Sequence, residues 1–507
     1  MIIKLLNYKR SRLVPSNFIH IIACIFSLFS YILPIHAQKS NLEIDHLKAK
    51  LKEAFIENVF ILSTSIIESD EDLPKHMLVR GYTMPSNYFQ IRMPLYNWNE
   101  KNFVAGCGAG CGTLPINISG KLKQALQRGY TTTTMNTGHW SPNIFDFSWA
   151  YNNPQGEKEY AYRAVHESQR ASLEIIKIFY EKEPKYSYFW GCSGGGRQAV
   201  MAASRYPKDF DGIISEAPAI DYTGEVLLLV WLRQTNTGSD GKDILTKEDI
   251  PLLSEYVYET CDEVDGKSDG LISSSKSCQF DPEILICKNG NNKDCLSREK
   301  VEVLKKWYQG PVNSEGEKLF TSGVTVGSEP FWGLWLLGET NEPQDELLNS
   351  ESMVRYTVFE EDPGHNYSVL NFDFDTDPER MEYMGNLINA DHLSLKSFKD
   401  EGGKLLMFHG LADPAIPFQL SVDYHNLNYK EYGEDMKNFF RLFLIPGMDH
   451  CTVLKNLGIT EDSIDPLTVI ENWVENDNPP IELPVTKFNK DGSVNSQFSV
   501  EQYKKHK

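Results

Sequence analysis

The sequence predicts an α/β fold, in which parallel strands alternate with helices, interrupted by one long insertion. Apolar runs with the length and composition of buried strands lie at 186–190, 212–215, 404–408 and 440–445. Between 222 and 398 the alternation fades, while acids, cysteines and aromatic residues become more frequent. With 507 residues, the chain is long enough for two domains. We therefore expect a core domain made of residues 38–221 and 399–507, with an inserted lid domain at 222–398.

The N-terminus has the pattern of a signal peptide. Four basic residues and no acidic residue precede a mostly apolar run at 18–35, and Ala37 offers a cleavage point. The alternatives are an uncleaved membrane anchor, or a lipoprotein attached through Cys24, because residues 21–24 resemble a lipobox. No later segment is long and apolar enough to span a bilayer. We expect residues 1–37 to be removed and the protein to be exported, to the periplasm or out of the cell.

The remaining core elements follow in order. Alternation and apolar content predict earlier strands at 88–94, 103–105 and 130–135. Apolar and small residues recur at helical spacing from 157 to 180 and predict a long helix, which ends before Pro184. A second, shorter helix is expected to end at Arg205. The stretch 38–85 gives no clear pattern, and the tail after Asn478 is rich in prolines and charges and is expected to wrap the surface.

A nucleophile motif follows the strand at 186–190. Residues 191–195 fit the pattern G-x-S-x-G, and the strand before it and the helix after it are the context that this motif needs. Asp413 and His450 each come just after a predicted strand. The chain order Ser, Asp, His is that of α/β-hydrolases. We therefore predict an α/β-hydrolase fold with a large inserted lid domain. The alternative for Ser193 is that it lies in a glycine-rich turn and has no catalytic role.

These three side chains suit hydrolysis through a covalent intermediate. A serine hydroxyl is a poor nucleophile, so Ser193 needs a base within hydrogen-bond reach, and we expect His450 to be that base. Asp413 is expected to orient the imidazole and to stabilise its cation.

The negative oxygen of the intermediate needs two backbone N–H donors. We expect one from Gly194, directly after the nucleophile at a helix N-terminus. The second is expected from the glycine-rich loop 106–112, with Gly108 as the best candidate. A staple between Cys107 and Cys111 is the alternative role of that loop, and both roles are compatible.

Export favours disulfides among the cysteines. Removal of Cys24 with the signal peptide leaves eight cysteines, and an even number in an exported protein favours four disulfide bonds. Six of these cysteines fall into three local pairs, which leaves Cys192 and Cys451 for each other, although two buried free thiols are the alternative. Zinc ligation is disfavoured because the sequence has no C-x-x-C. The eight cysteines are Cys107, Cys111, Cys192, Cys261, Cys278, Cys287, Cys295 and Cys451.

An acidic loop at 261–271 has the residues of a calcium site. Its carboxylates and glycines suit a hard cation with oxygen ligands, and Cys261 and Cys278 flank the loop as a staple. It is not an EF-hand, because the glutamate at position twelve is missing. The alternative is a solvated acidic turn. The expected ligands are the side chains of Asp262, Asp265 and Asp269 and the carbonyls of Lys267 and Leu271.

Other polar and aromatic residues are expected to be structural. We expect His139 to make structural hydrogen bonds rather than to line the site, and we place His166 and Arg197 on or beside the helices that pack on the nucleophile motif. Three aromatic residues of the insertion are expected to form part of the core of the lid: Phe331, Trp332 and Trp335. The alternative is that they form an aromatic wall against the ring of a substrate.

Together these motifs resemble the tannase/feruloyl esterase family. The resemblance rests on residues 161–219, on 402–417 and on 441–451, and the acidic loop is similar to the calcium site of that family. It implies a serine esterase with a calcium-bearing lid, and it implies three disulfides: Cys192–Cys451, Cys261–Cys278 and Cys287–Cys295. The sequence departs from the family pattern at Asp449, where glycine is commoner, and at Asn136, where aspartate is frequent.

The resemblance also implies the substrate class. We expect a secreted esterase that cleaves feruloyl, other hydroxycinnamoyl or galloyl esters, either as small molecules or on plant polysaccharide. A general carboxylesterase and a serine peptidase of the same fold are the alternatives, with a catalytically inactive binding protein as a third. The formal net charge of −20 predicts a surface that repels nucleic acid and anionic membranes, so we expect no nucleic-acid partner. The sequence does not indicate an oligomeric state.

Overall fold

The computed structural model describes residues 41–114, 120–273, 278–288, 294–337 and 346–504. The predicted signal peptide, with Cys24, lies outside these residues. The chain divides into two compact units, residues 1–44 and 45–507. Of the first unit, only 41–44 are described, and they are helical. All that follows concerns the second unit, and none of the described helices has the length and apolar content to cross a membrane.

One mixed sheet of nine strands forms the centre of the second unit. Its strands are β1 (Val59–Ile67), β2 (His76–Thr83), β3 (Asn87–Pro94), β4 (Lys101–Ala105), β5 (Thr131–Met135), β6 (Tyr186–Cys192), β7 (Gly212–Glu216), β8 (Lys404–Gly410) and β9 (Phe440–Ile445). Their order in the sheet is β1-β2-β3-β5-β4-β6-β7-β8-β9. The first three strands and the β3–β5 pair are antiparallel, and all pairs from β5 to β9 are parallel. The predicted strands are confirmed, and β1 and β2 are additions.

Helices cover the sheet and make up most of the insertion. They are α1 (Asn41–Glu53), α2 (Gly120–Gln127), α3 (Pro154–Lys158), α4 (Ala164–Tyr180), α5 (Gly194–Arg205), α6 (Tyr222–Asn236), α7 (Ile250–Cys261), α8 (Arg298–Gln309), α9 (Trp332–Trp335), α10 (Glu346–Tyr356), α11 (Asp377–Arg380), α12 (Glu382–Ile388), α13 (Lys396–Asp400), α14 (Gln419–Tyr432) and α15 (Pro466–Asn476). The predicted helix 157–180 corresponds to α3 and α4, joined without a break by a wider π-helical turn at Glu159–Arg163.

The parallel part of the sheet, from β5 to β9, is buried on both faces, as parallel strands require. On one face, α4 lays its small and apolar residues on β3 and β5, and Thr133 Oγ1 donates to Ser172 Oγ at 2.9 Å. On the other face, α15 buries Ile470 and Trp473 against Phe408 and Phe443. Full burial of each such side chain contributes about 1.5–3 kcal/mol. This packing fixes the strand ends from which the site is built.

The insertion lies between β7 and β8. Its described residues form helices and turns, joined by isolated β-bridges, and contribute nothing to the central sheet. Residues of α6 and α10 share one apolar cluster with Phe147 and Tyr160 of the core. The insertion therefore packs directly on the loops above the sheet, and its boundaries at 222 and 398 stay a prediction.

The C-terminal tail has more structure than the sequence predicts. After α15 the chain forms a hairpin, β10 (Glu482–Phe488) and β11 (Val494–Glu501), instead of only wrapping the surface. Leu483 and Val485 enter the core beside α15. Tyr503 N then donates to Leu442 O at 2.7 Å at the edge of the sheet. The hairpin was missed because β11 is largely exposed and its apolar residues are few, with only Phe498 and Val500 half-buried against the core.

Candidate active site

Ser193 lies in the sharp turn between β6 and α5. Its backbone has φ 62° and ψ −123°, which residues other than glycine rarely adopt. Ser193 N donates to Glu216 O at 3.0 Å, which ties the turn to the neighbouring strand. The approach of α5 to β6 is so close that a Cβ on Gly191 would collide with the backbone of Gly195. This is the strained strand-to-helix turn in which a G-x-S-x-G nucleophile is presented.

His450 and Asp413 form a buried pair on the loops after β9 and β8. His450 Nδ1 lies 2.7 Å from Asp413 Oδ2. Burial alone raises the pKa of Asp413, but the charges and hydrogen bonds of His450 and His409 outweigh burial and hold the pKa well below its ordinary value. Asp413 is therefore ionised, so Nδ1 donates to it and Nε2 is the basic nitrogen of the imidazole.

A second histidine, which sequence reasoning missed, supports the carboxylate. His409 is fully buried at the end of β8; its Nε2 lies 2.9 Å from Ile416 O and 3.3 Å from Asp413 Oδ2. The other oxygen of Asp413 accepts the N–H groups of Ala415 and Ile416, each at 2.9 Å. The spacing of four residues between His409 and Asp413 was the only signal in the sequence.

Ser193 and His450 open into one cavity of about 210 Å³. Its walls come from the core loops and from the insertion, and they are mainly apolar and aromatic. Asp413 lies behind His450 and does not line the cavity. Besides Ser193 and His450, the larger lining side chains are Ile144, Phe145, Phe147, Tyr160, Tyr222, Glu225, Leu229, Trp335, Met353, Ile416 and Val453.

The candidate backbone N–H donors belong to residues that line the same cavity as Ser193, namely Gly194, Gly108 and Ala109. Gly194 is the first residue of α5, where a helix leaves its N–H without an intrahelical partner. The loop after β4 runs against it, since a Cβ on Gly194 would lie 3.2 Å from Ala109 O. In that loop, Gly110 N and Cys111 N donate to other carbonyls, while Gly108 and Ala109 line the cavity. The geometry thus adds Ala109 to Gly108 as a candidate second donor.

The structure forms the predicted disulfides. Cys192, which precedes Ser193, is bonded to Cys451, which follows His450, with Cα atoms 5.9 Å apart across 259 residues of sequence. The nucleophile turn and the histidine loop are therefore covalently joined. The other pairs are Cys107–Cys111, Cys261–Cys278 and Cys287–Cys295.

Polar residues around the site build its framework. His139 Nε2 lies 2.8 Å from Gly110 O, and its ring stacks on Trp149 with centroids 3.6 Å apart. Burial lowers the pKa of His139 to about 4. Arg197 is fully buried and donates to backbone carbonyls, including Ala161 O at 3.0 Å. Asn136 Oδ1 accepts Tyr88 N at 2.8 Å. These contacts agree with a structural role for each residue.

Two further residues lie close to the imidazole. Phe331 and Trp332 are buried in the insertion, but Trp335 lines the cavity and meets the His450 ring edge-on, with centroids 4.9 Å apart. The assignment of Trp335 to the lid core was therefore wrong. Asp449 is fully buried, and Leu454 N donates to its Oδ2 at 2.9 Å. Burial, with the charge of Asp413 as a smaller cause, raises the pKa of Asp449 to about 7.

The acidic loop closes on itself at the base of the histidine loop. Asp262 Oδ1 accepts Gly270 N at 2.9 Å and Leu271 N at 3.2 Å. Leu271 is buried against Gly447, three residues before His450. Asp265 and Asp269 each accept one amide of the loop as well. Among the described residues, the three carboxylates do not lie within 4.8 Å of one another. Every candidate ligand atom of the loop is an oxygen, which is the ligand type that Ca²⁺ takes. To bind one cation together, the three carboxylates would have to move closer to one another.

The chain matches the family described as tannase and feruloyl esterase over residues 75–505. It belongs to this family. Its fold is therefore the α/β-hydrolase fold, and it is a carboxylic ester hydrolase. In this chain, Ser193, Asp413 and His450 lie on the loops that follow β6, β8 and β9 of the mixed sheet.

Relatives in the family carry several substrate names. The chain is 31% identical to a probable feruloyl esterase B of Emericella nidulans over 76% of this chain and 73% of that protein. It is 28% identical to the mono(2-hydroxyethyl) terephthalate hydrolase of Piscinibacter sakaiensis over 78% and 74%. The solved feruloyl esterase B of Aspergillus oryzae has the same fold, with a TM-score of 0.78 and 22% identity over 90% of this chain and 96% of that one.

Proposed function

We propose that this enzyme hydrolyses esters of small aromatic acids through an acyl-enzyme on Ser193. One observation carries the proposal: Ser193 and His450, which is paired with Asp413, open into a cavity of about 210 Å³ with apolar and aromatic walls. Aromatic walls stack favourably on an aromatic ring. The names of the family relatives, feruloyl esterase and terephthalate hydrolase, point to the same class of acyl group.

In the first half of the reaction, Ser193 Oγ attacks the ester carbonyl carbon while His450 Nε2 takes the hydroxyl proton. Ionised Asp413 stabilises the imidazolium that forms, and its hydrogen bond to Nδ1 keeps the ring in the right tautomer. The carbonyl oxygen becomes negative and is held by Gly194 N and by Gly108 N or Ala109 N. His450 then gives its proton to the leaving alcohol, and an ester between the aromatic acid and Ser193 remains.

The second half repeats these steps with water. His450 Nε2 removes a proton from a water molecule as its oxygen attacks the acyl carbon. Collapse of the second tetrahedral intermediate breaks the bond to Ser193 Oγ, which takes back a proton from the imidazolium. The free aromatic acid leaves, and its alcohol portion, either small or part of a plant polysaccharide, has already departed.

The acidic loop is proposed to hold a structural Ca²⁺. Asp262, Asp265 and Asp269 would bind it through carboxylates, and Lys267 and Leu271 through carbonyls. A bound cation would neutralise the loop and stiffen it. Because Leu271 packs against Gly447, that stiffness would pass to the histidine loop. The cation takes no part in the chemical steps above. Export through the segment 1–37 belongs to the same proposal.

The experiment is a substrate panel with purified enzyme. Methyl ferulate, methyl p-coumarate and methyl gallate are compared with a simple aliphatic methyl ester of similar size, with 4-nitrophenyl butyrate and with casein. We expect kcat/KM for at least one aromatic methyl ester to exceed that for a simple methyl ester of similar size. Cleavage of the nitrophenyl ester alone would favour a general carboxylesterase, and faster turnover of casein would favour a peptidase.

A further inference from the structure

Another cavity lies on the antiparallel part of the sheet. It has a volume of about 560 Å³, and β1, β2, β3, the loop between β1 and β2, and α2 contribute side chains to its walls. Among the described residues, it shares none with the walls of the catalytic cavity. Two arginines line it, Arg80 of β2 and Arg92 of β3. The cavity therefore contains two guanidinium groups that the ester chemistry does not use.

Strand pairing places these two arginines on the same face of the sheet. Arg80 lies opposite Gln90, and Arg92 lies two residues further along β3, so the two side chains are diagonal neighbours. Arg92 pairs with Thr132 of β5, whereas the next residue, Thr133, contacts α4 on the other face. The two positive charges therefore lie side by side on the face that α4 does not cover.

The guanidinium of Arg92 has more donors than partners. The residue is only 4% exposed, and its one hydrogen bond among the described residues runs from Nη2 to Gln90 Oε1 at 2.8 Å. Nη1 is buried and has no partner among those residues, although a guanidinium carries five N–H donors. Burial, with the charge of Arg80 as the smaller cause, lowers the pKa of Arg92 to about 10, so the group stays protonated at neutral pH. Such a group is costly to bury unless acceptors complete it.

The carboxylates of the cavity are engaged elsewhere. Asp72 Oδ1 lies 2.7 Å from Lys123 Nζ. Asp70 Oδ1 accepts the N–H groups of Asp72 and Leu73, at 2.8 and 2.7 Å. Neither arginine forms an ion pair with a carboxylate in the part of the chain that the structure describes. The segment 115–119, which precedes α2, contains no acidic residue by sequence. A ligand is therefore left to supply the negative charge.

We propose that this cavity binds an oxyanion, a carboxylate or a phosphate group, through Arg80 and Arg92. A guanidinium presents its N–H donors in a planar fork that fits two oxygens of such a group. The anion would accept from donors of Arg92 that lack a partner, and it would offset the repulsion between the two positive charges. A cavity of about 560 Å³ also has room for a sugar-sized molecule that carries the group. This binding site is separate from the catalytic site, and the inference does not rest on the proposed function.

The test is isothermal titration calorimetry with two probes, inorganic phosphate and glucuronate, at an ionic strength held constant with sodium chloride. We expect wild type to bind at least one probe, and which probe binds tells a phosphate site from a sugar carboxylate site. Arg80→Gln should raise Kd about 10- to 100-fold, the typical loss when a charge-assisted hydrogen bond is removed. Arg80 is exposed, so this substitution leaves the core intact. Arg92→Gln should weaken binding at least as much.

Arg298→Gln is the matched control, because Arg298 is an exposed arginine at the start of α8 that does not line the cavity. Its Kd is expected to equal that of wild type. Far-UV circular dichroism checks that each variant folds, and Arg80→Gln alone decides if Arg92→Gln does not fold. A wild type that binds neither probe, or a folded Arg80→Gln that binds as tightly as wild type, overturns the proposal. Both results leave the proposed esterase function untouched, because the measured quantity is binding and not hydrolysis.

Discussion

The Cys192–Cys451 disulfide joins the nucleophile turn to the histidine loop, and its contribution to stability and activity can be predicted quantitatively. Replacing Cys192 and Cys451 together by alanine opens a loop of 259 residues. The loop-entropy relation assigns a bond of this span about 5.5 kcal/mol of the free energy of unfolding. The pair Cys287 and Cys295 spans only 8 residues, for which the same relation gives about 2.5 kcal/mol. The long-range bond should therefore contribute about 3 kcal/mol more than the local one.

The assay is equilibrium urea unfolding of both double variants beside wild type, followed by ester hydrolysis at urea concentrations where each is folded. We expect Cys192→Ala/Cys451→Ala to lose more stability than Cys287→Ala/Cys295→Ala. It should also lose about 10- to 100-fold in kcat/KM, because a small displacement of a catalytic group is costly. Equal stability losses in the two variants, with full activity in the first, would refute the idea that this bond positions the histidine loop.

Three further results are expected. Buried Asp449 has a pKa of about 7 in the folded state and an ordinary value of 3.8, so it destabilises wild type increasingly as pH rises from about 4 to about 7, by at most about 4 kcal/mol. The stability of Asp449→Asn relative to wild type, measured by urea unfolding, should therefore increase from pH 4 to pH 7. A stability difference that stays the same over this pH range would contradict the raised pKa. Calcium should raise the thermal unfolding temperature of wild type but not that of Asp262→Asn. If wild type unfolds at the same temperature in calcium and in a chelator, the proposed calcium site is contradicted. Trp335→Ala should raise KM for methyl ferulate more than it lowers kcat, and an unchanged KM would show that this ring does not contact the substrate.

Much of the site could be predicted because its residues sit in local patterns. Ser193 lies in a five-residue motif, and Asp413 and His450 each follow an apolar strand that is easy to recognise. Once β6, β8 and β9 are placed in one parallel sheet, their carboxyl ends must lie on the same edge, so the three side chains meet.

What escaped prediction depends on packing between distant segments. The edge strand β1 is half-exposed on both faces, so its sequence lacks the alternation that marks β3. Trp335 reaches the imidazole only because the insertion folds over the sheet. Glu225 had a weak signal, since it is the one charged residue beside the apolar run 226–230. Its position in the cavity follows from how α6 packs, which no local pattern specifies.

The central claim is that Ser193 carries the acyl group. Wild type and Ser193→Ala are mixed with a cleavable aromatic ester, quenched with acid within the first turnovers, and digested for mass spectrometry. We expect the peptide that contains Ser193 to gain the mass of the acyl group in wild type. The alanine variant should show no such gain and should lose most of its rate, by a factor on the order of 10⁴ or more. Undiminished ester hydrolysis by folded Ser193→Ala, or an acyl group found on another residue, would contradict the account.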